Sequence, residues 1–244
     1  MGNNESSDVP RGGCVVAVEG NIGAGKSTRC KLLQERLGGP DKVLVLEEDI
    51  LGHWILEAYY REPQKYAYKL HKKTIKMNYR SMVLAETAAS AGKIVIMDRC
   101  LLGVWVFINA NLGNMTPKQA VKINRLFNEM INDAPKPNLV VHLTTDPEQC
   151  LANIKQRNRR GEEKISLEYL QQLEQYHTEV LYDKNYGVPV MRLEFGPITD
   201  EHVARIHACR PYLLPPVKNE DAGGDDSDAE PLPGGWSFTD EKAD

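Results

Sequence analysis

Nine consecutive residues, Gly20-Asn-Ile-Gly-Ala-Gly-Lys-Ser-Thr28, follow the apolar run Cys14 to Val18 and lead into a helical pattern from Arg29 to Leu37. They satisfy GxxxxGK[ST], and strand, loop and helix stand in the order a phosphate cradle requires. Glycines let the backbone turn so that successive N–H groups face one anion, and the helix amino terminus adds partial positive charge. Such a loop closes the end of a parallel strand, which commits the chain to an α/β architecture. Gly20, Asn21, Ile22, Gly23, Ala24, Gly25, Lys26, Ser27 and Thr28 are therefore the expected ATP-binding residues. Lys26 is expected to bridge the β- and γ-phosphates, and the Ser27 hydroxyl to join a Mg²⁺ shell.

Further apolar runs, Val43 to Leu46, Ile94 to Met97, Leu139 to Leu143 and Val188 to Leu193, alternate with longer helical patterns, so the sheet has five strands covered by helices. Thr116-Pro-Lys-Gln119 reads as a helix cap with proline at the first turn, and Ser166 opens a helix whose Leu167, Leu170, Leu173, Tyr176 and Val180 form a core stripe. Residues 1–12 and 217–244 hold too few apolar side chains to order themselves and are expected to be flexible tails around a domain of residues 13–216. The carboxyl-terminal tail carries a net charge of -7, which leaves residues 1–216 at +3. That mild basicity suits a phosphate-bearing ligand, and no basic block is dense enough to propose nucleic acid. Cys14, Cys30, Cys100, Cys150 and Cys209 are odd in number and without a CxxC pair, which speaks for a reducing, cytoplasmic setting. No run of eighteen apolar residues is present, so no membrane partner is expected.

A phosphate loop alone leaves motor, GTPase, transporter ATPase and small-molecule kinase open. The chain has no NKxD and no apolar strand ending in the Asp-Glu pair of many ATPases. Three other segments carry more information. Leu46-Glu-Glu-Asp-Ile-Leu-Gly-His-Trp54 is followed by Tyr59-Tyr-Arg-Glu-Pro-Gln-Lys-Tyr-Ala67; Asp98-Arg99-Cys100 follows the third strand; and Arg157-Asn-Arg-Arg-Gly-Glu162 precedes Leu167-Glu-Tyr-Leu170. In order and spacing they resemble the EPxxxW and YxxPxxWA stretch, the ERS or DRH motif, and the arginine-rich lid with its LEYL helix of the deoxynucleoside kinase family. That family includes cellular deoxycytidine and mitochondrial thymidine kinases and the herpesviral thymidine kinases. The resemblance runs from about Cys14 to Leu193 and implies an α/β P-loop kinase with a five-stranded parallel sheet, an arginine-rich lid, a deoxynucleoside substrate, ATP with Mg²⁺, and a homodimer.

The residues supply matching chemistry. A carboxylate at a strand end beside the phosphate loop can accept the proton of an attacking 5′-hydroxyl, and Glu48 is the chosen base. Glu48 precedes Trp54 by six residues where the family has five, so Asp49 is the alternative. Arg99 offers a planar fork for the phosphoryl group and the 5′-oxygen, and Arg157 and Arg159 are expected to close over the transferring group. Tyr60 and Glu162 match the family pair that grips the sugar 3′-hydroxyl. His71 stands at the position of the family's base-holding glutamine, where imidazole cannot copy a bidentate amide. Val104 stands where purine- and cytidine-binding members carry aspartate, and Gly113-Asn-Met-Thr-Pro117 matches the GxMTP of herpesviral thymidine kinases. An apolar residue cannot satisfy an exocyclic amine, which favours a pyrimidine, thymidine first. Trp54 with Trp105, Phe107 or Tyr59 is expected to sandwich the ring. Two other readings stay open: a thymidylate-type nucleoside monophosphate kinase, and a catalytically silent P-loop binding subunit.

Overall fold

The computed structural model describes residues 12–48 and 54–211. Five strands, β1 (Cys14–Gly20), β2 (Val43–Leu46), β3 (Ile94–Asp98), β4 (Leu139–Thr144) and β5 (Val190–Glu194), form one sheet in the order β2-β3-β1-β4-β5, every pair parallel. β1 and β3 are buried along their full length, and β4 along all but its last residue, as near-continuous apolar runs in a sheet covered on both faces should be. β1, β3 and β4 run past the expected apolar stretches and take in Glu19, Gly20, Asp98 and Thr144 at their carboxyl ends. β5 starts two residues after the expected Val188, because Pro189 has no N–H to offer a ladder and contributes only its carbonyl, which accepts from Val140 N at 2.9 Å.

The helices are α1 (Lys26–Arg36), α2 (Trp54–Arg61), α3 (Pro63–Ser90), α4 (Leu101–Ala110), α5 (Pro117–Asp133), α6 (Pro147–Arg157), α7 (Leu167–Leu181) and α8 (Asp200–Ala208). α1 begins at Lys26 rather than Arg29, so the phosphate loop itself holds the first turn. α5 has the anticipated cap, with Thr116 Oγ1 accepting from Gln119 N at 3.3 Å and Gln119 Oε1 accepting from Thr116 N at 2.9 Å. Ser166 caps α7, and Leu170, Leu173 and Val180 of its stripe are buried.

Gly12, expected at the end of a flexible tail, is buried, donates its N–H to Pro211 O at 2.9 Å and accepts from Arg210 Nε at 2.8 Å. The remainder of both expected tails, and Asp49, lie outside the described residues. Among the described residues no helix is long and apolar enough to cross a membrane.

Candidate active site

The carboxyl ends of the parallel strands share one rim, and there a cavity of about 310 Å³ opens beside the Gly20–Thr28 loop. Ile22, Gly23, Gly25, Lys26, Ser27 and Thr28 line it, while Gly20, Asn21 and Ala24 build the loop from behind. Gly23 lies at φ 79, and a Cβ there would fall 2.4 Å from the Cys150 carbonyl of α6. Asn21 turns its amide inward, donating Nδ2 to Leu170 O at 2.8 Å and accepting from Ile22 N at 2.9 Å. Lys26 is buried and donates Nζ to Gly20 O at 3.2 Å and Asn21 O at 2.9 Å. Burial, then the neighbouring Arg99, push its pKa down to about 8, against the pull of Asp98, Glu48 and Glu19.

Ser27 Oγ donates to Asp98 Oδ2 at 2.7 Å, and the second Asp98 oxygen is buried without a hydrogen-bond partner. Hydroxyl and carboxylate oxygens with one carboxylate atom unpaired are the hard donor set Mg²⁺ takes beside phosphates, so the site fits the expected ion. The sequence points to Ser27 for the Mg²⁺ shell; the carboxylate beside it, Asp98, stands in the Asp98-Arg99-Cys100 motif without any metal role being expected of it.

Arg99 adopts φ 77, a left-handed conformation unusual for a side chain of its size. Its backbone N–H donates to Val18 O at 3.1 Å, Nη1 donates to Gly20 O at 3.1 Å, and Nε lies 3.2 Å from Glu48 Oε1. The guanidinium sits 4.6 Å from the Phe107 ring centroid. Beneath it is Glu19, wholly buried and missed in the sequence, with Oε2 at 3.4 Å from Arg99 Nη1 and Oε1 accepting from Cys100 N at 2.6 Å. Its one visible signal was a single carboxylate in an otherwise apolar strand, Cys14-Val-Val-Ala-Val-Glu-Gly20.

The lid residues Arg157, Arg159 and Glu162 all line the cavity, as does Tyr60. Glu162 is buried and holds Arg157 bidentately, at 2.8 Å to Nε and 2.7 Å to Nη2, with Arg159 Nη1 at 3.6 Å. Glu162 therefore anchors the lid arginines as well as facing Tyr60, whose pKa is raised by burial and then by Glu162. Arg160 turns outward to Glu57 of α2 at 3.1 Å, so the three arginines of Arg157-Asn-Arg-Arg160 divide between cavity and helix surface.

At the other end of the cavity stand Tyr59, His71, Val104, Phe107, Asn111 and Tyr169. His71 is buried, its Nε2 has no hydrogen-bond partner, and burial pushes its pKa down to about 4, so the ring is neutral. Tyr59 donates its hydroxyl to Asn111 Oδ1, and Asn111 Nδ2 reaches Tyr169 OH at 3.0 Å. Thr74 and Asn78, three and seven residues after His71 on α3, also line the wall and were missed; the helical spacing that carries them onto one face was the available signal. Asn78 Nδ2 donates to Thr74 O at 3.1 Å, which leaves Oδ1 as the acceptor edge of that amide.

Two aromatic expectations are corrected. Trp54 is 54% exposed and does not line the cavity, because α2 buries Ile55, Ala58 and Tyr59 and turns Trp54 away, where it meets Tyr66 edge-on and Lys69. Trp105 stacks on Phe127 of α5 at 4.4 Å between centroids and belongs to the core. Phe107 and Tyr59 are the aromatic rings of the expected set that reach the cavity.

Comparison with known proteins agrees with this arrangement. The sequence profile for "Deoxynucleoside kinase" matches residues 16–205. A deoxyadenosine kinase of Dictyostelium discoideum is 30% identical over 190 residues, 77% of this chain and 75% of that protein. A thymidine kinase of Ictalurid herpesvirus 1 is 32% identical over 173 residues, 66% of this chain and 71% of that protein. Among solved structures, a deoxyadenosine kinase from M. mycoides with bound dATP superposes with a TM-score of 0.66 at 21% identity, covering 80% of this chain and 97% of that one. With a phosphate cradle, an arginine-clamped carboxylate and a lid in one cavity, and a family profile spanning nearly all described residues, the chain belongs to the deoxynucleoside kinase family and is an enzyme that phosphorylates deoxynucleosides.

Proposed function

We propose that this chain transfers the γ-phosphoryl group of ATP to the 5′-hydroxyl of a deoxynucleoside, with thymidine preferred. The observation that carries the reading is the Glu48–Arg99 pair at 3.2 Å in the cavity that also holds Lys26 and His71. Glu48 takes the 5′-hydroxyl proton as the oxygen attacks the γ-phosphorus and the bond to the β-phosphate oxygen breaks. Lys26 and the loop amides hold the phosphates, Arg99 binds the phosphoryl and the 5′-oxygen, and Arg157 and Arg159 offset charge on the transferring group. Mg²⁺ held by Ser27 and Asp98 supplies neutralisation of the phosphate charge when bound. Tyr60 and Glu162 take the 3′-hydroxyl.

For the base, Val104 gives an apolar wall without an acceptor for an exocyclic amine, which supports thymidine. A second reading, an amine-bearing base such as that of deoxyadenosine, is favoured by Asn78 Oδ1, an acceptor not weighed in the sequence argument. The measurement that decides is ADP release from ATP and Mg²⁺ with thymidine, deoxyuridine, deoxycytidine, deoxyadenosine, deoxyguanosine and thymidine monophosphate in parallel. Highest kcat/KM for thymidine supports the first reading, for deoxyadenosine the second; turnover of the monophosphate alone, or of none, overturns the nucleoside reading.

The catalytic unit in this reading is residues 13–216, in a reducing cytoplasmic setting suited to five free cysteines. It works as a homodimer packed through helices, for which α3 and α5, packed on each other, carry exposed Val83, Leu84 and Val121. A solution mass of one chain only removes the dimer.

A further inference from the structure

Glu19 puts a carboxylate where the fold could have put an apolar side chain, one residue before the phosphate loop, with no solvent exposure. Burial raises its pKa, and Arg99, the Cys100 N–H and Lys26 pull it back toward the ionised form. The first turn of α4 lies directly on the carboxylate. A Cβ on Gly103 would fall 2.2 Å from Glu19 Oε2 and 2.4 Å from Oε1, so the helix comes this close only because Gly103 has no side chain. Cys100, the cap residue of α4, makes no side-chain cap, and the carboxylate accepts its N–H instead. Arg99, meanwhile, is held in a left-handed backbone conformation, a strained state that persists only where neighbours over-determine it. Its guanidinium is fixed on one side by Glu19 and the Gly20 carbonyl, on its face by Phe107, and through Nε by Glu48.

We infer that Glu19 is a positioning residue that acts through Arg99. It holds the Nη1 side of the guanidinium and the start of α4 so that the opposite edge of the fork stays aimed at Glu48 and the reacting oxygens. The inference rests on the assignment of Arg99 and Glu48 to the phosphoryl-transfer site. Glu19 itself touches no reacting atom, and its influence travels only as far as Arg99 holds its place.

The test is a double-mutant cycle on the full chain, with kcat and KM measured for thymidine, deoxyadenosine and ATP and the melting temperature recorded for each variant. Glu19→Gln keeps an acceptor for the Cys100 N–H and removes the charge that fixes Arg99. It is expected to lower kcat by about 100-fold, the scale of a roughly 1 Å misplacement of a reacting group, with KM for the nucleoside changed far less. In an Arg99→Met background the same Glu19→Gln change is expected to cost almost nothing further in kcat, because the residue it acts through is gone. Multiplying losses in the double variant, or a Glu19→Gln enzyme with normal kcat, would overturn the inference. Should Glu19→Gln not fold, Glu19→Asp, which keeps the charge and withdraws it by one methylene, enters the same cycle with the same expected non-additivity. An Arg99→Met enzyme of undiminished kcat overturns instead the site assignment on which the inference stands, so the two failures are told apart by the single variant.

Discussion

Lys26 directs two of its three donors to the loop that will hold phosphate, reaching the Gly20 and Asn21 carbonyls at the depth where charge develops during transfer. Lys26→Ala is expected to lower kcat by about 10²–10³-fold, the loss seen when one such donor is removed, with the fold retained. Steady-state turnover beside a melting curve measures both. For the base, Glu48→Gln should reduce kcat by about 10²–10⁴-fold while Asp49→Asn leaves it near normal. Glu48 is ion-paired to Arg99 in the cavity, whereas Asp49 lies outside the described residues, and the reverse outcome would move the role across the six-residue spacing. Residues set by consecutive positions, such as Lys26 and Ser27, were legible in the sequence as neighbours on one loop, and both line the cavity. Glu19 was not, because its importance comes from Arg99 and Gly103, 80 and 84 residues further along. Trp54 falls outside the cavity because helical phase decides which side chains of α2 reach it: Leu56, Tyr59 and Tyr60 line the wall, Ile55 packs into the core and Trp54 is exposed.

At the level of single elements, local signals were the most legible. Thr116-Pro-Lys-Gln119 contains its whole capping box, and Thr116→Ala is expected to destabilise the protein by about 1 kcal/mol, read as a lower denaturant midpoint at unchanged slope. β4 and α7 show what local reading cannot reach. They bring His142 and His177 into a stack at 5.8 Å, with Tyr182 OH 3.3 Å from His142 Nδ1 and Glu174 at 3.9 Å from Nε2. Burial pushes the pKa of His142 down to about 4, with Arg192 adding to the effect, and puts His177 well below its ordinary value. With His71 on α3, also at about 4, this makes three imidazoles kept neutral in the fold. Below about pH 6.5 the unfolded chain takes up protons that the folded chain refuses until near pH 4. The stability contributed by these neutral imidazoles is therefore fully present above about pH 6.5 and is lost as pH falls toward 4, by roughly 3 kcal/mol each for His71 and His142. Glu174 and Glu19, raised by burial, titrate in the opposite sense and offset part of the loss. Urea melts at pH 7.5 and 5.0 should show the drop. His71→Gln should shrink it, and should also lower KM for the preferred nucleoside by restoring a two-bond grip.

For the whole molecule, alternation of apolar runs with helical patterns was enough to give a five-stranded parallel sheet, since the central strands β1, β3 and β4 are buried on both faces and read as near-continuous apolar runs. Strand order was not, because nothing local says that β1 lies between β3 and β4. Removing residues 217–244 is expected to leave the melting temperature and kcat unchanged, given how few apolar side chains that segment offers. Its charge of -7 against +3 for residues 1–216 predicts a lower KM for ATP after truncation, more so at low salt. A large fall in melting temperature would show instead that the segment contributes to the fold. The hydrogen bonds between Gly12 and residues 210 and 211 close the described fold on itself at the amino-terminal end of the central strand β1, opposite the phosphate loop. Chain connectivity is thus interchangeable there: joining 211 to 12 through a short polar linker and reopening the chain between Pro40 and Asp41, both exposed in the turn before β2, should yield a circular permutant with the same sheet order and the same cavity.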